Sequence, residues 1–208
     1  KIIASICLLC VISISGCMET QADHNTCDTK PVMVANYTSQ PVTIDGKLDD
    51  DIWQSVTVYQ LYYSVDKEQG HPAEAGKIRI AWDDEFFYLA CELDDSDVVA
   101  EGDKDQLHHY LLGDLCELFL KPADKSWYWE LYVTPKGHKT TFFFPSKEAL
   151  QDPNIFENAT SGLTVAAQVN GTLNDDSDKD TGWTGEMAMP IKDLTARGET
   201  FGPGSRWT

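Results

Sequence analysis

Short runs rich in Val, Ile, Tyr, Phe and Trp follow one another along most of the chain, separated by clusters of Gly, Asp, Asn and Pro. Such runs predict strands at 41–44, 55–63, 77–83, 86–93, 114–121, 127–135, 139–145, 163–169 and 183–191. No segment keeps a 3.6-residue apolar period through three turns, so helix is expected only in short pieces near 49–54, 147–150 and 191–194. The sequence Trp82-Asp83-Asp84-Glu85-Phe86 joins two apolar runs through a short acidic loop, which predicts a tight hairpin over 77–93. The pattern as a whole predicts an all-β chain folded as a two-sheet antiparallel β-sandwich, jelly-roll-like, with short helical turns.

Successive side chains on a strand point to opposite faces. In 114–120, Cys116, Leu118 and Leu120 share one face, and Leu115, Glu117 and Phe119 share the other. In 127–133, Trp129, Leu131 and Val133 read as core, which leaves Tyr128, Glu130 and Tyr132 outside. If the two strands are neighbours, acids and tyrosines lie together on one outer surface.

The N-terminus follows a different pattern. Residues 2–15 form an uncharged apolar stretch behind Lys1, shorter than the roughly 20 residues of a membrane-spanning helix and suited to a signal peptide. It closes on Ile14-Ser15-Gly16-Cys17, which resembles a lipobox. Residues 1–16 are therefore expected to be a lipoprotein signal peptide, with Cys17 the lipidated mature N-terminus. Residues 17–29 are polar and aperiodic and read as a tether, with the sandwich occupying 30–208. The chain has no initiator Met and stops at Trp207-Thr208 without a closing turn, so it reads as a fragment, truncated at the C-terminus.

Composition narrows the partners. The 208 residues carry a formal net charge of −18. Loss of residues 1–16 removes only Lys1 among the charged side chains and makes the balance about −19. A field of that sign excludes nucleic acid and leaves the lipid anchor as the only contact expected with a membrane. Hydrophobic residues at 42% and aromatic residues at 11% are enough for a core, so the acidity belongs to a solvated surface. Of six cysteines, Cys7 and Cys10 leave with the signal and Cys17 takes the lipid. Cys27, Cys91 and Cys116 remain, an odd number. Cys91 and Cys116 fall inside predicted strands, where a disulfide and two buried free thiols are both open.

Five motifs occur in a fixed order. They are Ile44-Asp45-Gly46-Lys47-Leu48-Asp49 with Trp53; Ile78-Arg79-Ile80-Ala81-Trp82-Asp83-Asp84 with Phe87-Tyr88-Leu89; Asp114-Leu115-Cys116-Glu117-Leu118-Phe119-Leu120; Gly182-Trp183-Thr184-Gly185-Glu186-Met187-Ala188-Met189-Pro190; and Gly202-Pro203-Gly204-Ser205-Arg206-Trp207. In this order the chain resembles the carbohydrate-binding module family 9 and its DOMON-like relatives over about 41–208. The resemblance implies a β-sandwich, sugar recognition without catalysis, calcium in some members and frequent attachment to xylanases and other glycoside hydrolases. It places Glu117 as an acceptor of sugar hydroxyls, Tyr110 as one aromatic wall of a slot, and Tyr132 where characterised sugar binders carry an arginine. The second aromatic wall of the family falls past Thr208. Tyr128 and Glu130, on the face of Tyr132, and Trp127, at the start of the same strand, complete the candidate sugar-binding set. A sugar ring pairs an apolar CH face, which stacks on an aromatic ring, with hydroxyls that carboxylates bond.

Other chemistries are weaker. The loop 174–180 spaces carboxylates at Asp176, Asp178 and Asp180 as a calcium loop does, although Thr181 and Met187 stand where an EF-hand carries Gly and Glu; a solvated acidic turn is the alternative. His108 and His109, with Met33, Met187 and Met189, raise a haem or redox module like those of some relatives, but neighbours on a strand point apart. No nucleophile elbow, phosphate loop, zinc signature or Cys-His arrangement occurs, and no carboxylate pair stands out as a glycosidase pair. The expected function is therefore non-catalytic binding of polysaccharide or oligosaccharide by a cell-envelope lipoprotein at the outer membrane or cell surface. It would serve xylan- or glucan-type catabolism, in which a glycoside hydrolase domain follows residue 208 or is absent. A haem-binding module and an adhesion domain with no sugar site are the alternatives.

Overall fold

A computed structural model of the chain describes residues 32–61, 74–146 and 161–208. The expected signal peptide, Cys17, the tether, Cys27 and the helix at 147–150 lie outside the described residues.

The described elements are β1 (Asn36–Tyr37), α1 (Asp51–Ser55), β2 (Tyr59–Gln60), β3 (Gly76–Trp82), β4 (Phe86–Asp94), a 3-10 turn (His109–Leu111), β5 (Cys116–Leu120), β6 (Tyr128–Val133), β7 (Lys139–Phe144), β8 (Thr164–Asn170), β9 (Gly182–Pro190) and α2 (Ile191–Leu194). They make an all-β sandwich. One sheet runs β1-β3-β4-β9-β8 with β2 also on β3, and the other runs β5-β6-β7. All pairings are antiparallel except the short parallel contact of β1 with β3.

Alternation builds the core between the sheets. Ile78, Ile80, Phe87, Leu89, Cys91, Trp183, Met187 and Met189 from the large sheet meet Cys116, Leu118, Leu120, Trp129, Leu131 and Val133 from the small one. The far face of the large sheet is buried as well. Trp53 of α1 packs there with Val56, Ala81, Tyr88, Ala90 and Ala188. Its indole Nε1 donates to Glu186 Oε1 at 2.7 Å, and the amides of Asp45 and Gly46 donate to Glu186 Oε2 at 3.0 and 2.8 Å. Gly46 has φ +83°, and a Cβ there would stand 2.5 Å from the backbone carbon of Ala167, so only glycine fits.

The hairpin expected at 77–93 is present as β3–β4. Asp83 Oδ1 accepts the amides of Glu85 and Phe86 at 2.7 Å, and Asp83 Oδ2 accepts the Tyr88 hydroxyl at 2.7 Å. Three expectations need correction. The run 41–44 is not a strand: Val42 and Ile44 pack against the Trp53 cluster, and the Thr43 amide turns to Asp50 Oδ2. Within 55–61 only Tyr59–Gln60 pair as strand. His108 and His109 stand at a 3-10 turn rather than on a strand, so strand alternation does not govern them.

Candidate functional site

Glu117 and Tyr132 are directly opposite on β5 and β6, Glu130 is opposite Phe142 of β7, and Tyr128 is opposite Phe144. The three strands thus bring the acids and tyrosines onto the outer face of the small sheet. The Tyr132 hydroxyl hydrogen-bonds Glu130 Oε2 at 3.1 Å and also reaches the Glu117 carboxyl. Tyr128 stacks on Phe144 at 4.8 Å and leans on Phe119 at 6.1 Å.

This face is not the open platform that alternation suggested. Glu117, Glu130 and Tyr132 are only 7%, 8% and 3% exposed. Bulky side chains on the same face account for it: Leu115, Phe142, Phe144 and Tyr128 close around Tyr132 as a small hydrophobic cluster of their own. Tyr128 and Phe119 remain half-buried at its margin.

Burial sets the protonation of the cluster. It pushes the Glu130 carboxyl up to about 7, with the neighbouring Glu117 charge adding to the shift. It also pushes the Tyr128 phenol up to about 12 and the Tyr132 phenol well above its usual range. The Tyr132 hydroxyl donates to Glu130 Oε2, which favours the charged carboxylate, while burial and the Glu117 charge favour the protonated acid and outweigh it.

Tyr110 is joined to this cluster at its rim. Its ring stacks on His108 at 5.6 Å, and its hydroxyl and His108 Nδ1 hydrogen-bond at 3.3 Å. His108 meets Phe142 edge to face at 5.8 Å, and Phe142 meets Tyr132 at 5.7 Å. Tyr110 is 37% exposed and the adjacent Leu111 is 69% exposed. The 3-10 turn therefore carries an accessible aromatic ring to the edge of a carboxyl-rich layer.

Trp127 goes elsewhere. It is buried in the inter-sheet core against Phe143 and Trp207, with the Arg197 guanidinium 5.5 Å from its ring centroid and 3.6 Å from that of Phe143. Trp127 immediately precedes β6 and turns into the inter-sheet core, so it does not share the surface of Glu130 and Tyr132. The acids of the motif beginning at Asp114 also divide. Asp114 Oδ2 accepts the Val99 amide at 2.7 Å, and burial pushes its carboxyl up to about 6. Phe142, Phe144 and His108 complete the site. Phe142 and Phe144 alternate along β7, a signal that becomes readable only once β7 is known to lie beside β6.

Asp176, Asp178 and Asp180 do not converge as calcium ligands. Asp180 accepts the amides of Thr172 and Val98 at 2.7 Å through its two oxygens, and Asp178 accepts the Thr172 hydroxyl at 2.9 Å. Asp180 ties the loop to Val98, and Asp178 braces it on Thr172. No group of three or more His, Cys, Asp or Glu among the described residues is placed to hold a metal ion. The haem donors are likewise separated: Met33, Met187 and Met189 lie between the sheets, whereas His109 is bonded to Thr140 Oγ1 at 2.6 Å and His108 faces Phe142. Neither donor set fits the group it was considered for.

A two-sheet antiparallel sandwich is an architecture on which many non-catalytic binding modules are built. The chain belongs to the carbohydrate family 9 binding domain-like family, whose sequence model matches residues 44–202. The members of this family are binding modules, not catalysts. The same fold occurs in a candidate carbohydrate-binding protein from Bacteroides uniformis, at 14% identity over 82% of this chain and 76% of that one, with a TM-score of 0.57. A family 9 carbohydrate-binding module from Caldicellulosiruptor kristjanssonii aligns in two structures. With cellotriose bound, the identity is 20% over 76% of this chain and 66% of that one, with a TM-score of 0.47. With glucose bound, the values are 18%, 75%, 66% and 0.43. No curated protein matches the chain in sequence.

Proposed function

We propose that this domain binds a neutral polysaccharide or oligosaccharide without catalysis, at the outer face of the β5-β6-β7 sheet. Tyr110 offers the stacking ring, with Glu117, Glu130, Tyr128 and Tyr132 as the hydroxyl-bonding groups. The observation that carries this reading is the continuous chain from the exposed Tyr110 through His108 and Phe142 to Tyr132 and its two carboxyl partners, within a domain of this family. An aromatic face beside carboxyl acceptors matches a sugar ring, which has an apolar face and a polar rim. Carboxyl groups at the centre of the site also discriminate against acidic sugars by like-charge repulsion.

The domain further acts, in this reading, as a lipoprotein held through Cys17 at the outer membrane or cell surface, where polymer is met, in xylan- or glucan-type catabolism. The apolar stretch ending at Gly16-Cys17 supports that placement. Isothermal titration against xylan, cellulose and their oligosaccharides tests the binding claim. Saturable heat that weakens in Glu117→Ala and Tyr110→Ala is expected, and no heat with any glycan overturns it.

The burial of Glu117, Glu130 and Tyr132 favours a second reading, in which the cluster is a structural polar layer and the domain is adhesive without a sugar site. The same titration separates the two, because an adhesive domain gives no glycan heat.

A further inference from the structure

Two cysteines lie between the sheets and take no part in the sugar-binding surface. Cys91 is on β4 of the large sheet and Cys116 is on β5 of the small one, 0% and 1% exposed within the same core cluster. Both are free thiols, and the Cys116 thiol is within hydrogen-bonding reach of that of Cys91. A separate geometric observation places them together. Gly185 is directly opposite Cys91 in the large sheet, and a Cβ on Gly185 would lie 3.0 Å from Cys91 Sγ and 3.1 Å from Val133 Cγ1. Val133 is the direct cross-strand partner of Cys116. The bare glycine therefore leaves space where Cys91 and the Cys116–Val133 pair meet across the sandwich.

We infer that Cys91 and Cys116 form an inter-sheet disulfide when the chain folds under oxidising conditions, tying the small sheet to the large one at the residue before Glu117. The exported location proposed above is where such a bond persists. The chemistry itself does not depend on that location or on sugar binding.

The bond forms by thiol–disulfide exchange with a small disulfide such as oxidised glutathione. One cysteine thiolate attacks a glutathione sulfur, forming a mixed disulfide and releasing one glutathione thiolate. The second cysteine thiolate attacks the protein sulfur of that mixed disulfide and releases the other glutathione. The two cysteines lose two electrons and two protons, and the oxidised glutathione gains both as two glutathione thiols. Burial raises the Cys91 thiol well above its ordinary value and shuts out reagents, so exchange belongs to the folding chain, before the sheets close.

The test uses the full chain, denatured with reductant and refolded with oxidised glutathione. Free thiols are then alkylated, and the protein is digested and mapped by mass spectrometry. The expected result is a cross-linked peptide pair containing Cys91 and Cys116, lighter by two hydrogens than the reduced pair. Dithiothreitol should lower the urea midpoint of the oxidised protein. Cys91→Ala combined with Cys116→Ala should abolish that shift. Recovery of Cys91 and Cys116 both alkylated, or of either joined to another cysteine, overturns the inference. The mapping decides the matter even if the double variant fails to fold. A positive map with no glycan heat would retain the disulfide and discard the sugar site.

Discussion

At the scale of single residues, carboxyl groups do two different jobs in this domain. Glu186 is fully buried and takes three hydrogen bonds, from the Trp53 indole and from the amides of Asp45 and Gly46. Glu186→Ala leaves those donors buried without an acceptor and should cost about 3 kcal/mol or more, read from the urea midpoint. Glu130 is buried with one phenol partner beside a second acid, and its carboxyl stands at about 7 against an ordinary 4.5. The folded protein then holds this proton more tightly than the unfolded chain, so the contribution of Glu130 to stability is fully present below pH 4.5 and is lost as pH rises through about 7. The loss attributable to this one group is on the order of 3 kcal/mol. Denaturation of wild type and Glu130→Gln across that range should show a steeper fall in wild type than in the variant, in which the buried Asp114 carboxyl still contributes a slope. The sequence placed Glu117, Glu130 and Tyr132 on a common face because a two-residue period is carried by each strand separately. It did not show that they are buried, because the rings of Phe142 and Phe144 arrive from a third strand, and only the register of β6 with β7 sets them there.

Among the elements, long strands with strong alternation and the short helical turns at α1 and α2 were legible, and the two-residue strands were not. β3, β4, β9 and α2 fall within a residue or so of expectation, and the Asp83 turn explains why the hairpin is so local. Asp83→Ala removes the acceptor for two amides and for the Tyr88 hydroxyl, and should lower stability by about 1–3 kcal/mol in thermal or urea unfolding. β1 has only two residues and pairs in parallel, so no period could announce it. The segment 41–44 has the composition of a strand, but its Val42 and Ile44 cover the far face of the large sheet as an extended layer held by Asp50 and Glu186. The 3-10 turn at His109–Leu111 is set by its surroundings: His109 sits beneath it, bonded to Thr140, and Tyr110 and Leu111 are left outside. Gly46→Ala tests the tightest contact between elements. With no room against Ala167 and a positive φ, it should destabilise the domain by more than the roughly 1 kcal/mol of an ordinary glycine substitution.

On the scale of the whole molecule, the ordered motifs and the sandwich agree. The motif residues Gly46, Trp53, Gly185 and Glu186 are those that lock the large sheet to its covering segment and make room in the core. They report the fold strongly and the ligand weakly, which is why the family was legible while the site was legible only as a face. In the proposed reading the small sheet carries the recognition surface, and the large sheet with its covered outer side supports it. The most direct test follows the amide resonances of the labelled domain during titration with neutral xylo- and cello-oligosaccharides. Saturable shifts centred on 108–111, 117 and 128–132, reduced about tenfold or more in affinity by Tyr110→Ala, are the predicted result. Shifts confined to another surface, such as the open cleft at Tyr37, Gln40, Asp50 and Ile52, or no shifts with any of these sugars, would contradict the account.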